Sequence, residues 1–555
     1  MNARLPVIVL EAGSRVGGRV AQLHGFAPWP LQLGAEFVHG GENNVLVRLI
    51  ERLGWSYRTL EWPDRYYFGT RGELGDGDGG YDTDADDAEK SLRGIVDAET
   101  AEAHPDVAEA HRLLANLPNT PWVETSRRRG DDDLRDDATE SGSVEEACGT
   151  TPTRVAIDDI ESSATKEVDC TALEWLVDRV KASRRVVEIA ESVYANDFGC
   201  SLSTMGMRET AVEQREWCHG EEYILLDEGR HLGDLVQEVA RGLDIRLNVA
   251  ASAVEWRKKK ASRKEGEKEE NNDDKCVVVR AAGGRSFRAS ACVVASPISA
   301  LKEMHWCPTF RTSVTFDPRV SQAKRDAIES IQMSDAVKIC LAFREKFWPA
   351  DVWNVVCCDA FLPECWMLEY APSRKSRDEN DRATFSSPRG DVRADIKAIV
   401  TFFACGETAK TIARRIREDP ERGEAGVVDQ ALAQLDAMFG GEKENGATGE
   451  AAPATTRFVA AEAFPWSGVD TVGGAYTHPS VYAAGARREL QKPEYDGALF
   501  LAGEAANVKC NPCMQGAVTT GLEAAAAAAA ERASRTGKPT PEGFGDERWF
   551  VRECF

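Results

Sequence analysis

The chain has 555 residues, 42% of them hydrophobic, a length that admits roughly two to four domains with a substantial buried core. The formal charge is −24, and there is neither a basic stripe nor aromatic residues interleaved with basic ones, which argues against a nucleic-acid partner. No apolar run is long enough to span a bilayer, and nothing at the start reads as a secretion signal.

The first element is Val7-Ile8-Val9-Leu10, a short apolar run that ends in Glu11. This is the pattern of a buried strand whose terminal carboxylate accepts hydrogen bonds from a ribose hydroxyl. Gly17-Gly18-Arg19 follows, with Gly18 removing a Cβ where backbone must pass close to a ligand. Arg19 is placed to face a pyrophosphate, or else is a solvated charge on a turn. Leu33-Gly34-Ala35-Glu36-Phe37-Val38-His39-Gly40 closes this stretch. Beyond residue 60 the acid collects in tracts such as Asp76-Gly77-Asp78, Asp82 to Glu89 and Asp131-Asp132-Asp133. Such composition reads as solvated, disordered insertion near 70–166, so much of the net charge carries no functional meaning.

Leu173 to Ser192 reads as helix, Leu232-Gly233-Asp234-Leu235 opens an amphipathic helix, and Ile245 to Asn248 is a strand. The mixed-charge run near 257–275 is expected to join two strands, and Cys292 to Ser296 is a buried strand ended by Pro297. Within the apolar strand Val337 to Phe343 sits Lys338, an ammonium that is expensive to bury without a partner unless it snorkels to solvent. Further insertions are expected near 373–393 and 440–455. Gly473-Gly474-Ala475-Tyr476 precedes the strand Leu499 to Leu501, whose acidic turn carries Gly503 and Glu504. Cys513-Met514-Gln515-Gly516-Ala517 then opens an Ala-rich helix, whose N-terminal amides suit an anionic or electron-rich ligand. The fifteen cysteines are scattered, as reduced thiols in an intracellular setting would be. Neither Cys357-Cys358 nor Cys510-x-x-Cys513 has the companions of a zinc site, so no metal is expected.

Together these motifs resemble the flavin amine oxidase family of monoamine oxidases, polyamine oxidases and lysine-specific histone demethylases. The resemblance runs discontinuously from end to end, through the segments around Glu11, Gly34, Lys338, Trp466, Tyr476, Gly503 and Met514. It implies an α/β fold: a three-layer, Rossmann-like FAD-binding domain of the glutathione reductase type with an interleaved α+β substrate domain. The implied division gives 1–60, 220–300 and 460–535 to FAD, and 61–219 and 301–459 to substrate. Glu11, Gly18, Arg19, Gly34, Ala35, Glu36, Val254, Gly503, Glu504, Met514, Gly516 and Ala517 then form the cofactor shell. Val254 supplies a backbone contact to adenine. Phe37, His39 and Cys513 line the substrate pocket, and Lys338 and Tyr476 are the catalytic candidates. Lys338 is expected to hold a water against the flavin N5, and Tyr476 to form one wall of an aromatic cage.

This chain departs from the family pattern at three places. Ala475 replaces the cysteine that tethers FAD, so non-covalent FAD is expected. Cys513 replaces the second cage tyrosine, and a thiol offers no π face to an amine. The Gly-x-Gly-x-x-Gly turn does not fit ahead of Glu11; it is expected upstream of Met1, and this chain alone is expected to hold FAD weakly. The implied activity is oxidation of a polyamine or a small primary or secondary amine to an imine, with dioxygen as acceptor and peroxide as product. Two alternatives stay open: a histone-lysine demethylase-like flavoprotein, and a non-catalytic paralogue acting in protein interaction. The implied partners are a small amine and dioxygen, in an intracellular, cytoplasmic setting with nucleus or peroxisome left open; oligomeric state is not implied.

Overall fold

A computed structural model describes residues 6–69, 92–115, 117, 122–123, 167–258, 275–302, 312–369, 384–386, 394–441, 449–510, 512–536, 540 and 550. The acidic tracts at 70–91 and 124–166, and most of the expected insertions at 257–275 and 373–393, lie outside these residues.

Two short parallel pairs frame the cofactor-type unit. Ile8–Leu10 pairs with Asp244–Arg246, and Cys292–Val294 pairs with Leu499–Leu501. Parallel neighbours need long crossover connections, and here the chain between paired strands builds the remainder of the molecule. Ala251–Lys258, Lys275–Ala281 and Arg285–Ala289 form an antiparallel meander, with Thr315–Asp317 added in parallel. Lys258 pairs with Lys275, so the mixed-charge run does connect two strands. Past Leu501 the chain turns at Gly503, whose φ of +117° is strained for a residue with a Cβ. The long helix Met514–Thr536 follows.

The second unit is built on a seven-stranded sheet in the order Phe458–Pro465, Ala336–Phe343, Ala398–Cys405, Glu364–Trp366, Asn354–Cys357, Arg65–Phe68 and Gly94–Asp97. Its edge strand Phe458–Pro465 crosses the 459/460 division. Ala336–Phe343 is buried along its whole length, between two antiparallel neighbours. Side chains alternate across a strand. Val337, Ile339, Leu341 and Phe343 accordingly enter a core shared with the helices Gly406–Glu418 and Pro420–Phe439. Ala336, Cys340 and Ala342 join a different core, with Leu23, Leu31 and Leu33 of the N-terminal segment. Lys338 lies on that second face.

Three expectations need correction. Residues 94–115, expected within a disordered insertion, form the strand Gly94–Asp97 and the helices Ala98–Glu102 and Pro105–Ala115. Val107, Ala110, Leu113 and Leu114 pack against Leu176, Val186 and Ile189. Glu99 and Asp106 sit in first helical turns, where a negative charge is favourable, so acidity misrepresents this stretch. Thr384–Ser386, inside the expected 373–393 insertion, pairs with Gln22–His24. Leu173 to Ser192 is not one helix; it breaks near Lys181, whose φ is +56°. Among the described residues no helix is long and apolar enough to cross a membrane.

A buried polar chain ties the units together. Glu209 of the helix Met207–Glu216 meets Arg487 Nε at 2.6 Å. Arg487 also donates to Thr477 Oγ1 at 2.9 Å and to the Ala505 carbonyl at 3.0 Å. The Thr477 hydroxyl donates to Glu504 Oε2 at 2.5 Å, and Glu504 Oε1 pairs with Arg19 at 2.7 Å. Replacing Arg487 with Met strands the Glu209 carboxylate in the core. Arg487→Met is expected to lower the unfolding free energy by about 3–5 kcal/mol in urea denaturation. A loss below about 1 kcal/mol, as for an exposed pair, would show that the chain of contacts is dispensable.

Candidate active site

The two units enclose a cavity of about 3210 Å³ whose walls come from both ends of the sequence and from the seven-stranded sheet. It brings together every site residue expected from sequence except Gly516. A Cβ at Gly516 would stand 2.7 Å from the Cys510 carbonyl and 3.1 Å from Asn507. This glycine therefore lets the helix start pack closely on the preceding loop.

Glu11, Gly18, Arg19, Val254, Gly503, Glu504, Met514 and Ala517 line the part built from the parallel pairs and the long helix. The Glu11 carboxylate is oriented by its own turn, accepting from the Gly13 amide at 2.7 Å. At Gly18, with φ +53°, and at Gly503, an added Cβ would meet no atom within 4 Å. Both positions thus hold backbone at the cavity wall with open space before it, the arrangement a diphosphate needs for close approach. Arg19 does not simply project into that space. Its Nη1 donates to Glu504 and, at 3.0 Å, to the Ala475 carbonyl, so one edge of the guanidinium is fixed by protein.

Gly34, Ala35, Glu36, Phe37, His39, Lys338, Tyr476 and Cys513 line the remaining wall. Gly34 has no room for a side chain, since a Cβ there would lie 1.7 Å from the Arg19 carbonyl oxygen. Lys338 is 4% exposed, so solvent does not satisfy its ammonium. Its Nζ donates to Gln32 O and Gly34 O, both at 2.9 Å, and to Glu36 Oε2 at 2.6 Å. All three ammonium protons are thereby directed at protein acceptors, and the snorkelling alternative is excluded. Trp366 Nε1 donates to the same carboxylate at 3.1 Å, with its ring 5.0 Å from the ammonium.

Tyr476 packs its ring against Gly199, where a Cβ would fall 1.9 Å from Cε2. Its hydroxyl lies 3.5 Å from Cys405 Sγ. Burial, with Cys405 beside it, pushes this phenol well above its ordinary value. Burial likewise raises the Cys513 thiol, which stays protonated. The same effect lowers the His39 imidazole to about 4, leaving it neutral at pH 7. Phe37 stands edge-on to Tyr223, Trp353 and Trp366, with centroids 5.5, 6.1 and 5.6 Å away. Trp62 stacks on Tyr223 at 5.7 Å. None of these four partners carried a motif in the sequence; only the fold gathers them. Two carboxylates, Asp197 and Glu364, join the same wall and were likewise missed.

The family model for flavin containing amine oxidoreductases matches residues 1–529, and the chain belongs to that family. Polyamine oxidase 3 of Oryza sativa subsp. japonica is 23% identical over 354 residues, covering 63% of this chain and 56% of the relative. Lysine-specific histone demethylase 1B of Mus musculus is 23% identical over 540 residues, covering 95% of this chain and 50% of the relative. The chain thus spans about half the length of the curated relatives it matches. In structure it is similar to cyclohexylamine oxidase from Brevibacterium oxydans IH-35A. The TM-score is 0.59 and the identity 16%, over 94% of this chain and 92% of the other. A putrescine oxidase bound to putrescine gives a TM-score of 0.57 at 14% identity, over 95% and 93%. These likenesses establish the α/β fold with a Rossmann-like FAD-binding domain, and the family implies a flavin.

The buried pair sets an expectation that isolated substitution would obscure. Lys338→Met removes the ammonium from Glu36 and should destabilise the protein by about 3–5 kcal/mol. Adding Glu36→Gln should recover most of that loss, because the stranded charge is gone. Equal unfolding midpoints for the single and double variants would contradict the pairing.

Proposed function

We propose that this protein oxidises an amine to the corresponding imine, with non-covalent FAD as cofactor and dioxygen as acceptor, giving peroxide. The observation that carries the reading is the composition of the wall facing Gly34 to Phe37. It is aromatic, holds neutral His39, and offers carboxylates to a cation. Membership of the flavin family supports the cofactor, and open backbone at Gly18 and Gly503 fits its diphosphate. The chemistry that FAD supplies when bound is removal of a hydride equivalent from the carbon beside the amine nitrogen and return of the electrons to dioxygen.

This chain's residues bind, orient and exclude water. Glu11 is placed to accept from ribose hydroxyls. Lys338, through its bonds to Gln32, Gly34 and Glu36, acts as a positioning residue that fixes the segment lining the reaction space. Tyr476 presents a π face to the amine, and Cys513 leaves the opposite side open to bulkier groups. Ala475 has no sulfur with which to tether a flavin.

Acid precipitation of the flavin-loaded protein should leave the yellow chromophore in the supernatant; flavin retained on the polypeptide would contradict non-covalent binding. Peroxide release is expected with spermidine or with simple monoamines rather than with a methyl-lysine peptide. Failure of every amine to reduce the flavin anaerobically would overturn the oxidase reading.

A further inference from the structure

Of the pair Cys510-x-x-Cys513, the amine site uses only Cys513. Both residues are thiols in this structure, and they differ in access. Cys510 is 2% exposed and is not among the residues lining the cavity, whereas Cys513 lines the wall shared with Tyr476. The Cys513 amide donates to the Cys510 carbonyl at 3.0 Å, closing a four-residue turn. Such a turn holds its end Cα atoms within about 7 Å, and a disulfide spans about 4.4–6.8 Å between Cα atoms. The backbone thus already has the spacing of a disulfide, and side-chain rotation is what remains. Both ends of the turn are fixed. Asn507 Oδ1 accepts from the Cys510 amide at 2.8 Å, the Lys509 amide at 2.9 Å and the Cys510 thiol at 3.4 Å. Asn507 Nδ2 donates to the Gly516 carbonyl, and the Ala517 amide to the Cys513 carbonyl, both at 3.3 Å. The turn is therefore carried on the start of the long helix. Burial, then neighbouring Cys510, push the Cys513 thiol up, so it reacts slowly and answers only to an oxidant that accumulates. A cavity that releases peroxide concentrates one beside this sulfur.

We propose that Cys510 and Cys513 are a peroxide-responsive modification site, a dithiol that closes to a disulfide at the substrate wall. This rests on the oxidase reading for the source of peroxide only. The Cys513 sulfur takes one peroxide oxygen as the O–O bond breaks, and its thiol proton leaves with the other oxygen as water. The Cys510 sulfur then attacks the sulfenic acid. The S–S bond forms, the S–O bond breaks, and the Cys510 proton leaves with the hydroxyl as a second water. The dithiol loses two electrons and the peroxide gains them. Closure draws the Cys513 sulfur toward a residue outside the cavity wall and so takes the thiol from the wall that Tyr476 shares. An external dithiol reverses the step by exchange.

The test uses the flavin-loaded full chain. Trypsin cuts after Lys509 and Arg532, so the peptide 510–532 separates these two cysteines from all others. Hydrogen peroxide is added, the remaining thiols are alkylated with iodoacetamide in denaturant, and the peptide is weighed. The doubly alkylated peptide should fall severalfold after peroxide, replaced by an unalkylated form lighter by two hydrogens. Dithiothreitol should restore it. In Cys510→Ser no disulfide can form, and dimedone should trap a sulfenic acid on Cys513. In Cys513→Ser the buried Cys510 should stay fully alkylatable. Double alkylation in wild type unchanged by peroxide would overturn the site, and this readout decides even if neither variant folds. In a parallel sample spermidine and dioxygen replace the added peroxide, and flavin absorbance is followed; closure is expected there too. Closure under added peroxide, with no amine able to reduce the flavin, would sink the oxidase reading and leave the site standing. Flavin reduction and peroxide release with the peptide doubly alkylated throughout would do the reverse.

Discussion

The buried chain of contacts from Glu209 through Arg487, Thr477 and Glu504 to Arg19 is the constraint on which the rest of the structure depends. Its members are far apart in sequence, and each charged group finds its counter-charge only when the helix Met207–Glu216, the turn after Leu501 and the N-terminal loop are assembled together. Buried charges that meet only in one arrangement penalise alternatives severely, because a misplaced helix leaves a carboxylate or guanidinium alone in the core. The same contacts set the position of the Arg19 backbone, whose carbonyl closes over Gly34. The cofactor-facing backbone and the reaction wall are thereby fixed relative to each other.

A second buried pair divides one strand between two tasks. Ala336–Phe343 sends alternate side chains into an apolar core that anchors the sheet. On the opposite face Lys338 ties Gln32, Gly34 and Glu36 to the strand. An ammonium there costs desolvation, which the carboxylate, two carbonyls and the Trp366 ring offset. Firm placement of the Gly34 to Phe37 segment follows. The wall beyond it combines aromatic rings with acceptors, an environment for cations stripped of water.

Much of the site was legible in sequence because its residues are constrained locally. Glu11 ends a strand, Gly18 and Gly503 answer a positive φ, and Lys338 stands out in an apolar run. Each leaves a signal at its own position. Gly516 carries a second local constraint, since a glycine at this helix start is also needed for close packing on the preceding loop. The partner of Lys338 could not be read, because Glu36 is three hundred positions away and the alternation that brings them together belongs to the folded sheet. Trp62, Asp197, Tyr223, Asn354 and Glu364 come from a bend, a turn and three separate strands and share no spacing. The helices at 98–115 were hidden by composition, since Glu99, Glu102, Asp106 and Glu109 interrupt the apolar residues that bury them and continue the acidic bias of the preceding tract.

The most direct measurement is a crystal structure of the flavin-loaded protein. The ring system is expected against Gly34, Ala35 and Tyr476, with a ribose hydroxyl on Glu11 and the diphosphate passing Gly18 and Gly503. A flavin bound elsewhere, or a cavity still without one at saturating FAD, would contradict the account.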